Sequence, residues 1–254
     1  MWPLPFRNQS KTTGNKMAGV QDYWEFFDDF IGGGTFSASA TTDPWVITDT
    51  SSGGTPTYTR VDLSESSGTY RPGVAQLAFD SQTEAQNVCL SFGDKLAFDI
   101  QSLRGFECSM RFVAQTGSAK DSNTTLAWGV TGDRNDAIDS IAVASIFRLA
   151  SGSASNAIVI ENDDTVNTND DVDAGATMTD LTWCRFKIDF SNLDDVKYYV
   201  KIGTAGEKRV GAGTTMKMSS YYGGLQPFFQ LQKASDANTD AVQIDYVRLW
   251  GVRL

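Results

Sequence analysis

Histidine is missing from all 254 residues. That absence removes Ser-His-Asp triads, imidazole general bases and nearly every zinc or iron site, because imidazole is the usual base and the commonest transition-metal ligand. Cysteine is scarce: Cys89, Cys108 and Cys184 lie far apart, are odd in number and form no CxxC pair. Neither a zinc knuckle nor a disulfide framework fits that spacing. Each sits in an apolar-alternating run (NVCLSF, FECSMRF, TWCRFKI), so three buried free thiols are expected, in a chain that folds in a reducing compartment. Long apolar runs are absent too. The opening MWPLPFRNQSKTTGNKMAG has no stretch of signal-peptide length, and nothing later could span a bilayer. Basic residues are in deficit, 21 Lys and Arg against 31 Asp and Glu for a net charge of −10. The body of such a chain repels nucleic acid. Neither nucleic acid nor a membrane is an expected partner.

What the chain does have is aromatic and turn-forming residues. Apolar residues make up 41% of it, with 15 Phe, 8 Tyr and 6 Trp, enough for one large core, and 23 Gly punctuate it. From Tyr23 onward, short runs such as WVITDT, NVCLSFGD, FECSMRFVA, TLAWGVTG, WCRFKIDF and LQPFFQLQK alternate apolar with polar residues between Gly, Pro and Ser clusters. Phe106, Cys108, Met110 and Phe112 point one way while Glu107, Ser109 and Arg111 point the other. About a dozen such strands predict an all-β, two-sheet sandwich over residues 21–254, without internal repeat or linker. TEAQNVCL and RNDAIDSIAVA also fit short helices, as does the aromatic spacing of YWEFFDDFIGG. Residues 1–20 differ: Arg7, Lys11 and Lys16 with no acid, and two prolines, read as an extended arm.

Few motifs carry chemistry. Gly32-Gly33-Gly34 and Gly211-Ala212-Gly213 lack the Lys-Ser/Thr or the βαβ context of a phosphate loop and read as turns. The acidic segment 161–173 contains no basic residue. Calcium is one reading, with Asp163, Asp164, Asp170 and Asp171 as ligands, but there is no EF-hand spacing, and a solvated acidic loop is the alternative. Tyr221 and Tyr222 could stack on a sugar ring, although packing or an interface suits them equally. No other cofactor is expected.

The run Val242-Gln243-Ile244-Asp245-Tyr246-Val247-Arg248-Leu249-Trp250 resembles the closing strand of concanavalin A-like jelly rolls, which include glycoside hydrolase family 16 and laminin-G-like domains. Residues 225–231 and the pair of runs 183–190 and 197–203 are similar to the strands before it. The resemblance implies an antiparallel jelly roll. The hydrolases of that group present Glu-x-Asp-x-Glu on one strand, so that two carboxylates share a face. No such run exists here and no catalytic residue is expected, so a glycoside hydrolase or lyase is the least favoured reading. The stretch from Tyr23 to Phe112, with Phe26-Phe27-Asp28-Asp29-Phe30 and Ser91-Phe92-Gly93-Asp94, looks like structural proteins of tailed bacteriophages. That likeness implies a virion component made in the host cytoplasm, a capsid decoration protein or a fibre component, working as a dimer or trimer. Its partner would be the major capsid protein or another virion protein, or a glycan in the fibre case. The arm, through Trp2, Pro3, Leu4, Pro5, Phe6 and Arg7, is the expected anchor.

Overall fold

The computed structural model describes residues 22–39, 43–64, 70–115, 117, 119–150 and 152–253. In chain order its strands are β1 (Tyr23–Asp28), β2 (Gly34–Thr35), β3 (Val46–Asp49), β4 (Thr57–Ser64), β5 (Tyr70–Ala78), β6 (Gln86–Ser91), β7 (Phe98–Asp99), β8 (Leu103–Val113) and β9 (Thr124–Thr131). They continue as β10 (Val143–Leu149), β11 (Ala157–Asp164), β12 (Thr168–Thr177), β13 (Cys184–Asp189), β14 (Lys197–Ile202), β15 (Lys208–Val210), β16 (Gly224–Lys233) and β17 (Ala241–Val252). A single 3-10 turn, Ile138–Ser140, is the only helix among the described residues, and no helix there is long and apolar enough to cross a membrane.

Two antiparallel sheets face each other. One has nine strands in the order β15-β14-β13-β8-β17-β5-β4-β2, with β1 also on β17. The other has eight, β12-β11-β10-β9-β16-β6-β3, with β7 also on β16. The alternation read along β8 holds: Phe106, Cys108, Met110 and Phe112 are fully buried between the sheets. Trp128 packs there on Phe147 and Phe186, with ring centroids 5.8 and 4.7 Å away. Burying one such ring stabilises by roughly 2–3 kcal/mol. All three cysteines are free and buried. Burial pushes the Cys89 thiol up to about 12, so none is poised as a nucleophile.

The helical alternatives resolve as strand. YWEFFD is β1, and Gln86 to Leu90 of TEAQNVCL belong to β6. Pairing on both sides of β6, by β3 and β16, outweighs the local spacing. Only one turn of RNDAIDSIAVA is helical. Its Ile138 and Ile141 join Ala127, Ala144, Ile146 and Phe228 in a small apolar cluster on the outer side of the eight-stranded sheet.

Strand β17 carries a further irregularity. Along β8 the register steps from Ile244 opposite Met110 to Tyr246 opposite Ser109, leaving Asp245 as an extra residue. At that bulge the other edge of β17 changes partner, from β5 before it to β1 after it. Asp245 accepts a 2.8 Å bond from Arg71 of β5 there. Pro227 stands in a comparable gap. β7 pairs with Gly224 and Leu225 of β16, β6 pairs from Phe228 onward, and Gln226 fills the space between them. The Gln226 Oε1 accepts from Phe92 N and Asp94 N, both at 3.1 Å, so a central strand tolerates its proline.

Candidate functional site

The outer faces of the two sheets are built on opposite plans. On the eight-stranded sheet, residues 132–142 fold back across β16, β9 and β10. Polar side chains beneath this strap are engaged within the chain. Gln230 Nε2 donates to Asn87 Oδ1 and to the Asp136 carbonyl, each at 3.0 Å, and Gln232 donates to the same carbonyl. Asn87 also donates to Thr50 Oγ1 at 2.9 Å. β16 presents Gln226, Phe228, Gln230 and Gln232 at alternate positions and carries no acid. Beyond the strap a groove of about 360 Å³ remains, with Thr50, Asn87, Asn123, Thr125 and Gln232 in its walls.

Acids do meet on this face, around a cation. Arg148 of β10 is 6% exposed. Its guanidinium donates to Asp139, lies 3.2 Å from Glu161 Oε2, and reaches Asp171 at 2.6 Å and Asp170 at 3.9 Å. Carboxylate oxygens of Asp139, Glu161 and Asp170 lie within 4.8 Å of one another. Glu161 is itself buried, and that burial pushes its carboxyl up to about 7 against the pull of Arg148. Burial opposes the charge on Arg148 as well, but Asp139, Glu161 and Asp171 hold its ionisation above the ordinary value. The one guanidinium lies among four carboxylates and offsets part of their charge.

The four proposed calcium ligands are divided by the fold. Asp163 and Asp164 organise the β11–β12 turn. Asp163 accepts from Thr165 N at 2.6 Å, and Asp164 from Asn167 N at 2.7 Å and Ser220 N at 2.9 Å. Although burial works upward, these bonds hold the Asp164 carboxyl below its ordinary range. Asp170 and Asp171 face Arg148 instead, across the bulge between Ile160 and Asn162. Of the four, Asp170 alone shares the 4.8 Å group with Asp139 and Glu161, while Asp171 joins it through Arg148. The tyrosine pair is divided too. Tyr221 Oη donates to the Gly224 carbonyl at 2.9 Å and its ring packs on the core, while Tyr222 is 79% exposed. The arm residues Trp2, Pro3, Leu4, Pro5, Phe6 and Arg7 lie outside the described residues.

Among the described residues, no strap crosses the middle of the nine-stranded sheet. Its outer face gathers cations and rings in an otherwise acidic chain. Trp183 carries the guanidinium groups of Arg71 and Arg111 at 4.5 and 4.8 Å from its ring centre. Arg248 lies 5.1 Å from the Trp250 ring and ion-pairs with Glu25 at 2.6 Å. Lys187 lies over Tyr199 at 5.2 Å, and Phe27 stacks on Tyr246 at 5.8 Å. Trp250 covers Gly105, where a Cβ would come within 2.1 Å of its ring, so glycine at that position sets the floor of the surface. The alternating polar residues of β8, β13 and β17 foretell which side chains face outward. Their assembly into one surface depends on strand order, which local pattern does not encode.

No family model and no curated sequence matches the chain. Solved structures do. A protein of unknown function from Shewanella oneidensis MR-1 superposes with a TM-score of 0.51 at 13% identity, covering 95% of this chain and 97% of the other. The family 16 non-specific endo-β-1,3(4)-glucanase SCLam gives the same TM-score at 12% identity, covering 94% and 95%. The lectin UEA-II complexed with galactose gives 0.48 at 9%, covering 92% and 100%. At these identities the likeness is one of fold, and this chain is a two-sheet antiparallel jelly roll of the concanavalin A-like kind.

Proposed function

We propose that this chain is a non-catalytic structural protein of a virion, of the decoration type. It holds an assembled protein surface through the outer face of its nine-stranded sheet. The observation that supports it most directly is the set of paired cations and rings on that open face: Trp183 with Arg71 and Arg111, Tyr199 with Lys187, Trp250 with Arg248. Arg, Tyr and Trp are the residue types that dominate binding energy at protein interfaces. The tailed-phage resemblance supplies the partner class, the major capsid protein or another virion protein, with the protein acting as a homo-oligomer made in the host cytoplasm. Affinity for the assembled lattice over free subunits would then stabilise the particle by mass action. The acids that converge do so around a cation, Arg148, as an ion-pair cluster and not as a free carboxylate pair.

The test is co-sedimentation of the full-length protein with particles lacking it, comparing wild type with the double variant Lys187→Glu/Arg248→Glu. Wild type should pellet and protect the particle against heat, and the variant should remain in the supernatant while still folded. Equal pelleting of the two would remove the assigned surface. A second reading, recognition of a glycan, is favoured by the groove lined with Thr50, Asn87, Asn123, Thr125 and Gln232. Amides and hydroxyls can both donate and accept, as sugar hydroxyls require. Saturable binding of a neutral oligosaccharide, lost in Asn87→Ala, would select it.

A further inference from the structure

One rung of the nine-stranded sheet has an unusual composition. Tyr246 of β17 stands opposite Ser109 of β8, Ser109 opposite Arg185 of β13, and Arg185 opposite Lys201 of β14. All four side chains line one cleft of about 160 Å³ beside Trp183. Directly opposed residues on one face hold their side chains about 5 Å apart at Cβ, and like charges in that relation destabilise a sheet. Arg185 and Lys201 are such a pair. Two acids stand beside the rung among the described residues: Glu207 accepts from Arg185 Nη2 at 2.8 Å, and Glu107, which accepts from Tyr246 Oη at 2.7 Å, also favours the Arg185 charge; neither bonds to Lys201. Arg185 Nε is buried without a hydrogen-bond partner. Among the described residues, Lys201 makes neither an ion pair nor a side-chain hydrogen bond. The neighbouring rung differs, since there Lys187 faces Glu107 on one side and Tyr199 on the other.

We propose that the Arg185–Lys201 rung is a receptor for a carboxylate side chain of an acidic protein segment, the anchor by which the outer face holds its partner. An anion between the two cations relieves their repulsion, and Ser109 Oγ offers a further donor. The cleft is small against the roughly 300 Å³ at the lower end of small-molecule sites, so it suits one side chain better than a chain of sugar rings. The surrounding Arg and Trp residues are of the kind found at protein interfaces. This inference rests on the proposed function for the identity of the partner, but its chemistry can be measured without any particle.

The experiment is binding of labelled poly-L-glutamate to the full-length protein, read by fluorescence anisotropy, with polygalacturonate as a second polyanion. Wild type should bind poly-L-glutamate in a salt-dependent manner. Arg185→Gln and Lys201→Gln should each weaken it by about tenfold or more, as expected for loss of a charge-assisted contact. Lys95→Gln, on an exposed turn between β6 and β7 that lines no part of the cleft, should stay within about threefold. Lys201→Gln should not lower thermal stability, since it removes a repulsion. A fall in melting temperature would assign Lys201 a structural role and overturn the proposal. So would wild-type affinity in both cleft variants, or binding of polygalacturonate alone. Particle sedimentation of the Lys187→Glu/Arg248→Glu variant tests the parent reading separately, so either can fail while the other stands.

Discussion

The two outer faces use similar side chains to opposite ends. Arg148 and Arg248 show the difference. The first is 7% exposed at its side chain and surrounded by four acids, and the second is 42% exposed and paired with one. Burial makes a counter-ion obligatory, because an isolated charge in a low-dielectric setting costs far more than a pair returns. Exposure makes it optional and leaves the cation available to another molecule. The strapped face is therefore organised for stability, and among the described residues the other face keeps its cations exposed.

Substitutions can break or sharpen that contrast. The largest effect is expected from Arg148→Met, which strands Glu161, Asp139 and Asp171 together. Urea unfolding should show a loss of about 3–5 kcal/mol. Next, Ile141→Ala in the strap should cost about 2–3 kcal/mol by the same measurement, since it opens a cavity over Phe228.

Glu161 predicts a pH effect of somewhat smaller size. Its carboxyl is held above its ordinary value of 4.5, so it binds a proton more tightly in the folded chain than in the unfolded one. Its contribution is full below 4.5 and is lost as pH rises through about 7. Stability profiles of wild type and Glu161→Gln should diverge across that window by on the order of 1–3 kcal/mol, the wild type losing ground as pH rises. Identical slopes would mean that the group titrates normally. The smallest effect belongs to Arg248→Gln, within about 1 kcal/mol in thermal denaturation. A loss as large as that of Arg148→Met would erase the distinction between the faces.

Much of this architecture is legible in the chain. Alternation along residues 103–113 and 184–189 predicts both strands and the side each residue faces, because a sheet with one buried side imposes a period of two. The free thiols follow from the same runs. The acidic segment is less legible. Asp163 and Asp164 look like metal ligands in sequence, yet backbone N–H groups of a tight turn satisfy them. Arg148 gives no local sign that it will be buried beside residues 139, 161 and 170–171, since only strand order joins those segments. The Arg185–Lys201 rung was hidden for a similar reason, as cross-strand register sets which charges oppose.

Strand β1 runs antiparallel along the last strand, with Tyr23 opposite Val252. Arg253 N also donates to the Asp22 carbonyl at 2.8 Å. The two ends of the described chain thus leave the sandwich at one corner. A short linker could join them without disturbing either sheet, and new ends could be cut at an exposed turn, in keeping with how circular permutation succeeds elsewhere. Cargo joined directly at Asp22 or at Arg253 would emerge from the same point, giving a display scaffold with a single exit.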